Sequence, residues 1–209
     1  MRKEKLEEIK SLIEEFKVVK VLEEEDVFKN FEVNNDEADK RHFITTKRLK
    51  VKLNNGKTLT RELILKNNQI GSAVVMLPIT KEGDTLLVVE PRIATARTVG
   101  VGLPAGYVEK GESGIVAAKR ELMEETGYYS DDVTPLASFY QDSGCSEAYN
   151  QAFLLNNCIK VGDQNLDEFE YIKYFTCKYE EALELMELGY INDCNGIIAL
   201  EKSKKYMKV

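Results

Sequence analysis

Between Gly106 and Gly127 the sequence places five groups that could act together on a charged substrate: Glu112, Arg120, Glu121, Glu124 and Glu125. If Ser113 to Thr126 is a helix, about 100° per residue sets Glu124 about 40°, Glu121 about 100° and Glu125 about 140° from Arg120. Three carboxylates and one guanidinium then share a face. Carboxylates crowded in this way repel one another unless a cation neutralises them, and hard oxygen donors select magnesium, manganese or calcium. The plainer alternative is a solvated face on which Lys119 and Arg120 balance the acids. One turn earlier stand Ser113, Gly114 and Ala117, all small, which leaves room for a bulky group over the carboxylates. Ile115, Ala118 and Leu122 fall on the opposite side and are expected to face a core.

Positioning these groups requires a capped helix on a buried sheet. Ser113 is a suitable N-cap and Gly127 a suitable stop. Ala73 to Leu77 and Leu86 to Val89 are short apolar runs around a Glu82-Gly83-Asp84 turn, the pattern of strands covered on both faces. Further strands are expected over 136–140, 152–156 and 171–177, and helices over 179–188 and 195–205. Ahead of them, Leu6, Ile9, Ile13 and Phe16 recur at helical spacing, predicting a helix over 3–16. The acidic run Glu23-Glu24-Glu25-Asp26 and Asn34-Asn35-Asp36-Glu37 read as turns. Alternating residues on either side of Asn54-Asn55-Gly56-Lys57 predict a hairpin over 48–65. The expected organisation is an N-terminal helix and antiparallel sheet over 1–65 and a catalytic domain over 66–209, joined by a short linker near 66–71.

Composition narrows the chemistry. With 36 acidic against 29 basic residues the net charge is -7, which disfavours nucleic acid as a partner. A polyanionic small molecule would need a metal to approach such a chain. No apolar run nears the roughly 18–20 residues that span a bilayer, and Met1-Arg2-Lys3-Glu4-Lys5 does not open a signal peptide. The expectation is a cytoplasmic protein without a membrane partner. Cys145, Cys158, Cys177 and Cys194 form no C-x-x-C pair and His42 is the single histidine, so neither a zinc site nor a histidine triad is expected, and the cysteines read as reduced thiols.

The segment from Gly106 to Tyr128 resembles the Nudix box, G-x5-E-x7-R-E-U-x-E-E-x-G-U, with U a bulky aliphatic residue. Gly106, Glu112, Arg120, Glu121, Leu122, Glu124, Glu125 and Gly127 all fit, and Tyr128 replaces the last aliphatic residue. Over residues 48–205 the chain is similar to the ADP-ribose pyrophosphatase branch. The similarity lies in Leu103-Pro104-Ala105-Gly106, Glu90-Pro91-Arg92, Gly144-Cys145-Ser146-Glu147 and Gly189-Tyr190-Ile191-Asn192-Asp193.

The resemblance implies an α/β (α+β) fold, a Nudix α/β/α sandwich with a mixed sheet, plus a small N-terminal antiparallel element. It also implies hydrolysis of a nucleoside diphosphate linked to a second group, with Mg2+, or Mn2+ in its place, as cofactor. For ADP-ribose the products are AMP and ribose 5-phosphate. By the same resemblance Glu121, Glu125, Glu124, the Ala105 carbonyl and Glu170 hold metal, and Arg120 orients the carboxylates. Glu112 organises the loop and reaches metal through water. Glu168 of the acidic loop Asp167-Glu168-Phe169-Glu170 is the expected base; the plain alternative is an ordinary acidic turn. Arg92, Arg97 and Glu147 are the expected substrate contacts, and a homodimer through residues 1–65 the expected assembly. One departure, Asp142-Ser143-Gly144 where the branch carries Ser-Pro-Gly, leaves another nucleotide sugar or a dinucleotide open as substrate. A Nudix module that senses a nucleotide without cleaving it would be expected to lack box carboxylates, and none is lacking here.

Overall fold

The computed structural model describes residues 3–17, 43–66 and 72–207. In chain order the elements are α1 (Lys3–Phe16), β1 (Ile44–Lys52), β2 (Thr58–Lys66), β3 (Ala73–Thr80), β4 (Asp84–Pro91), β5 (Val99–Gly102) and β6 (Ala105–Tyr107). There follow α2 (Gly114–Thr126), β7 (Tyr128–Tyr129), β8 (Asp132–Tyr140), β9 (Tyr149–Lys160), β10 (Lys173–Lys178), α3 (Tyr179–Glu187) and α4 (Cys194–Met207). The turns expected at 23–26 and 34–37, His42 and the linker at 67–71 lie outside the described residues. Among the described residues no helix is long and apolar enough to cross a membrane.

The chain divides into two compact units. The first gathers α1, Ala73–Phe139 and the chain from Asn150 onward. Its sheet runs β10-β4-β3-β9-β7, with β5 on β4, β6 on β3 and β8 on β9. β3 lies parallel to β9 and antiparallel to β4 and β6, so the sheet is mixed. Side chains alternate across a strand, and both faces here are apolar. On one face Val75, Leu77, Leu87, Val89 and Leu154 pack with Ile9 of α1, Ala182 and Leu185 of α3 and Leu200 of α4. On the other, Val74, Met76, Leu86, Phe153 and Leu155 pack with Ala117, Ala118 and Leu122 of α2. The continuous apolar runs in the sequence thus come from a sheet buried between two helical layers, the expected α/β/α sandwich.

The second unit contains the β1–β2 hairpin and the segment Tyr140–Tyr149. The hairpin pairs from Ile44↔Lys66 to Lys52↔Thr58 around Asn55-Gly56, with Gly56 at φ 82°. Within the unit, Ile64 donates its N–H to the Cys145 carbonyl at 2.7 Å.

Candidate active site

The helix that carries the acidic box is built as its ends predict. Ser113 Oγ accepts from the Val116 N–H at 3.4 Å, and Gly127 takes the left-handed conformation at φ 71°. Ala117, Ala118, Leu122, Glu125 and Thr126 are buried. Two expectations about this helix need correction. Ile115 is 42% exposed, because it borders an open cavity with Pro135, Ala137 and Phe153 instead of packing into the core. The room expected over the helix is displaced to one side: Ala117 is fully buried and a Cβ on Gly114 would overlap the Gln151 amide, while Ser113 and Gly114 line an open cavity of about 270 Å³ together with Gln151 and Phe153.

Arg120 is the hub of the site. Its Nε donates to Glu112 Oε1 at 3.0 Å and its Nη2 to Glu112 Oε2 at 2.9 Å, a two-point grip. Nη1 donates to Glu121 Oε1 at 2.8 Å and Glu124 Oε2 at 2.9 Å, while Nη2 also reaches the Tyr107 carbonyl at 3.0 Å. Glu112 in turn accepts from the Glu109 N–H at 3.0 Å. One planar guanidinium therefore ties the 107–112 loop to the helix and orients two box carboxylates. Hydrogen bonding by Arg120 holds the Glu112 carboxyl below the usual range despite partial burial.

Deeper in, the charges are less well compensated. Glu125 is buried, and its Oε2 accepts from the Ala105 N–H at 3.1 Å. Burial pushes its carboxyl well above the ordinary value, and the neighbouring charges of Glu90, Glu121 and Glu170 push it further. Glu121 is pushed up to about 7, first by burial, with Arg120 opposing and Glu124 and Glu170 adding to the rise. Glu90, at the end of β4, is raised by burial and by Glu170 and Asp193, against the pull of Arg92. Such a group of oxygen donors is suited to a hard divalent cation, which would relieve the repulsion and burial penalty together. Among the described residues no three metal-binding side chains already converge as a cage; Glu121 and Glu124 are turned toward Arg120.

The remaining expected residues are placed as follows. Ala105 stands on β6 opposite Val75, next to Glu125. Glu170 lies close enough for its charge to act on Glu90, Glu121 and Glu125. Glu168 is exposed in the same turn. Arg92 donates to Glu90 at 2.6 Å, and the Arg97 guanidinium lies 4.9 Å from the Tyr190 ring centre. Glu147 is exposed in the second unit. Sequence reasoning missed Glu90 and Asp193 as members of the acidic group. An acid closing an apolar strand run, as Glu90 does after Leu86 to Val89, is the signal that could have found the first. Asp193 caps α4, its Oδ1 accepting from the Gly196 N–H at 2.9 Å, and only the tertiary fold brings it to Glu90.

Comparison with known proteins agrees with the box and with the fold. The NUDIX domain pattern matches residues 70–192. The chain is 34% identical over 152 residues to an ADP-ribose pyrophosphatase of Bacillus subtilis, covering 72% of this chain and 80% of the relative. It is 32% identical over 152 residues to a methanol dehydrogenase activator of Bacillus methanolicus, with the same coverage. The fold is similar to a crystal structure described as an ADP compounds hydrolase, with a TM-score of 0.67 at 22% identity, covering 79% of this chain and 86% of that one. The box, the helix that carries it and the sandwich that supports it all agree: the chain belongs to the Nudix family.

Proposed function

We propose that this Nudix hydrolase cleaves the diphosphate of ADP-ribose, giving AMP and ribose 5-phosphate, with Mg2+ as its metal and Mn2+ able to replace it. The observation that carries the reading is the buried Glu125 carboxylate beside Glu121 and Glu90, while Arg120 is engaged by Glu112, Glu121 and Glu124. The substrate assignment draws on the pyrophosphatase relative and on the unbroken set of box carboxylates.

Glu121, Glu125 and the Ala105 carbonyl would hold the metal, with Glu124 and Glu170 as further oxygen donors. When bound, the metal neutralises the diphosphate and makes attack by water on an anionic phosphorus feasible. Arg120 keeps Glu121 and Glu124 oriented, and Glu112 keeps the loop closed on the helix. Glu168, exposed in the acidic turn, takes the proton of the attacking water. The bridging oxygen leaves with the other phosphate, and Arg92 and Arg97 offer positive charge to the phosphates, with Glu147 a further substrate contact.

Four free thiols suit a reducing compartment, and the cytoplasm is the proposed location. The proposed assembly is a homodimer through residues 1–65, with 66–209 as the catalytic domain; α1 of the former packs through Ile9 into the sandwich unit, and Tyr140–Tyr149 of the latter joins the hairpin unit. A two-stranded ribbon is marginal by itself, and β1 exposes Ile44 and Val51 at 56% and 40%, which supports a partner there.

The test is product analysis with ADP-ribose, other nucleotide sugars and dinucleotides, with and without Mg2+. Release of AMP and ribose 5-phosphate only with metal is the expected result. Preferred turnover of another compound would move the substrate, and no turnover of any by metal-loaded protein would overturn the hydrolase reading.

A further inference from the structure

We infer that Gln164 is a positioning residue for this reaction: its side-chain amide ties the carboxylate-bearing end of α2 to the foot of the acidic turn and so sets where Glu168 and Glu170 stand relative to Glu121 and Glu125. The inference rests on the proposed assignment of those residues to the hydrolysis.

The last carbonyls of a helix have no partner within it. In α2 they are served by one short segment that starts at the last residue of β9. Lys160 Nζ donates to the Thr126 carbonyl at 2.7 Å, and Gln164 Nε2 to the Glu125 carbonyl at 2.6 Å. The N–H groups of Val161 and Gly162 reach the Gly127 carbonyl at 2.9 and 3.2 Å, and that of Asn165 reaches the Glu124 carbonyl at 2.9 Å. The strap lies so close that a Cβ on Gly127 would overlap the Gly162 carbonyl. The box glycine is thus required by contact as well as by its positive φ.

Gln164 differs from the other donors because the same Nε2 also donates to the Ile172 carbonyl at 3.2 Å. Both partners are carbonyls, which fixes the orientation of the amide. The acidic segment is consequently pinned at both ends, by Asn165 to Glu124 at one and by Gln164 to Ile172 at the other. Between them the turn closes on itself, with the Glu170 N–H donating to the Asp167 carbonyl and the Asp167 N–H to Glu170 Oε2, each at 3.0 Å. Asp167 to Tyr171 are all exposed, Phe169 at 84%. With no buried side chain in the turn, its place is set by its pinned ends. A glutamine meets this need because both contacts require a donor; a glutamate of the same shape would turn an acceptor toward two carbonyls and the acidic helix end.

The test uses the full chain with Gln164→Met and Gln164→Glu, and Lys160→Met as the comparison, since Lys160 serves the same helix end and bonds the Tyr174 hydroxyl on β10 rather than the Ile172 carbonyl. Both Gln164 variants are expected to lower kcat for ADP-ribose at saturating Mg2+ by about tenfold or more, with KM within about threefold, as a displaced reacting group does. Lys160→Met should lower the melting temperature yet keep kcat within about threefold. Hydrogen exchange of metal-free protein gives a reading independent of turnover: amides of 165–172 should exchange about tenfold faster in Gln164→Met and not in Lys160→Met. Wild-type kcat in both Gln164 variants, unchanged exchange, or an equal loss of kcat in Lys160→Met would overturn the inference. If wild type cleaves no diphosphate the hydrolase reading fails, and the exchange data still decide whether Gln164 holds the loop.

Discussion

The carboxylate of Glu121 occupies the space that any side chain on Gly106 would need; a Cβ placed there would overlap both carboxylate oxygens. The first glycine of the box and its first helical glutamate therefore form one packing unit, although 14 residues separate them in the chain. The obstructing group is the end of a flexible side chain, which can swing away. Gly106→Ala is therefore expected to cost little stability, about 1 kcal/mol or less, and to lower kcat by about tenfold or more by displacing Glu121. Thermal unfolding and steady-state kinetics on the same preparation check this; a fully active alanine variant would contradict it.

Arg120 grips Glu112 at two points and also bonds Glu121, Glu124 and the Tyr107 carbonyl. A lysine keeps the charge and loses the planar fork. Arg120→Lys is expected to lose about 1–3 kcal/mol of stability, with faster proteolysis of the 107–112 loop. Denaturant unfolding and limited proteolysis measure these effects, and wild-type values in both would show that the hub is dispensable.

Glu121, pushed up to about 7, and Glu125, raised well above its ordinary value by burial and neighbouring charge, give the metal-free protein a defined pH response. Their folded values lie above the unfolded ones, so their contribution to stability is fully present below about pH 4.3 and is lost as pH rises through the folded values. Without metal, this site should therefore reduce stability as pH rises toward and past about 7. Glu112 has the opposite sign, but its effect falls at lower pH, as pH drops through its depressed value. Mg2+ binds the deprotonated forms, so the rise in melting temperature it produces should be larger at pH 8 than at pH 5.5. Melting curves with chelator and with Mg2+ test this; a metal-induced shift independent of pH would rule it out.

The box was legible because its spacing is local: a helical repeat sets Glu121, Glu124 and Glu125 on one face, and Ser113 and Gly127 mark its ends. The sandwich was legible for a related reason, since the apolar runs at 73–77 and 86–89 already describe strands covered on both sides. Glu90, Asp193 and Gln164 were not legible as parts of the site. Each is an ordinary strand-end, cap or loop residue until the fold brings Asp193 to Glu90, Glu90 to Glu125 and the 160–165 strap to the end of α2. Ile115 was misplaced because periodicity assigns a helical face but not how closely the neighbouring strands pack against it; an open cavity separates it from Pro135 and Ala137.

Thr85 is fully buried on β4, and among the described residues its hydroxyl is the buried side-chain polar atom without a hydrogen-bond partner. Such a group pays desolvation without return. Thr85→Val, nearly identical in shape, is expected to raise stability by about 1 kcal/mol and leave turnover unchanged. A loss of more than about 1 kcal/mol in denaturant unfolding would mean that the hydroxyl is satisfied in solution.

Glu125→Gln asks most directly whether buried Glu125 and its neighbours on α2 form a metal-dependent hydrolytic centre. Kinetics and melting temperature should be measured together, with and without Mg2+. A folded variant is expected, at least as stable as wild type without metal because the cost of ionising a buried carboxyl is gone, with kcat for ADP-ribose reduced by about a hundredfold or more and the Mg2+-induced gain in melting temperature diminished. Near-wild-type turnover with an undiminished response to Mg2+ would contradict it.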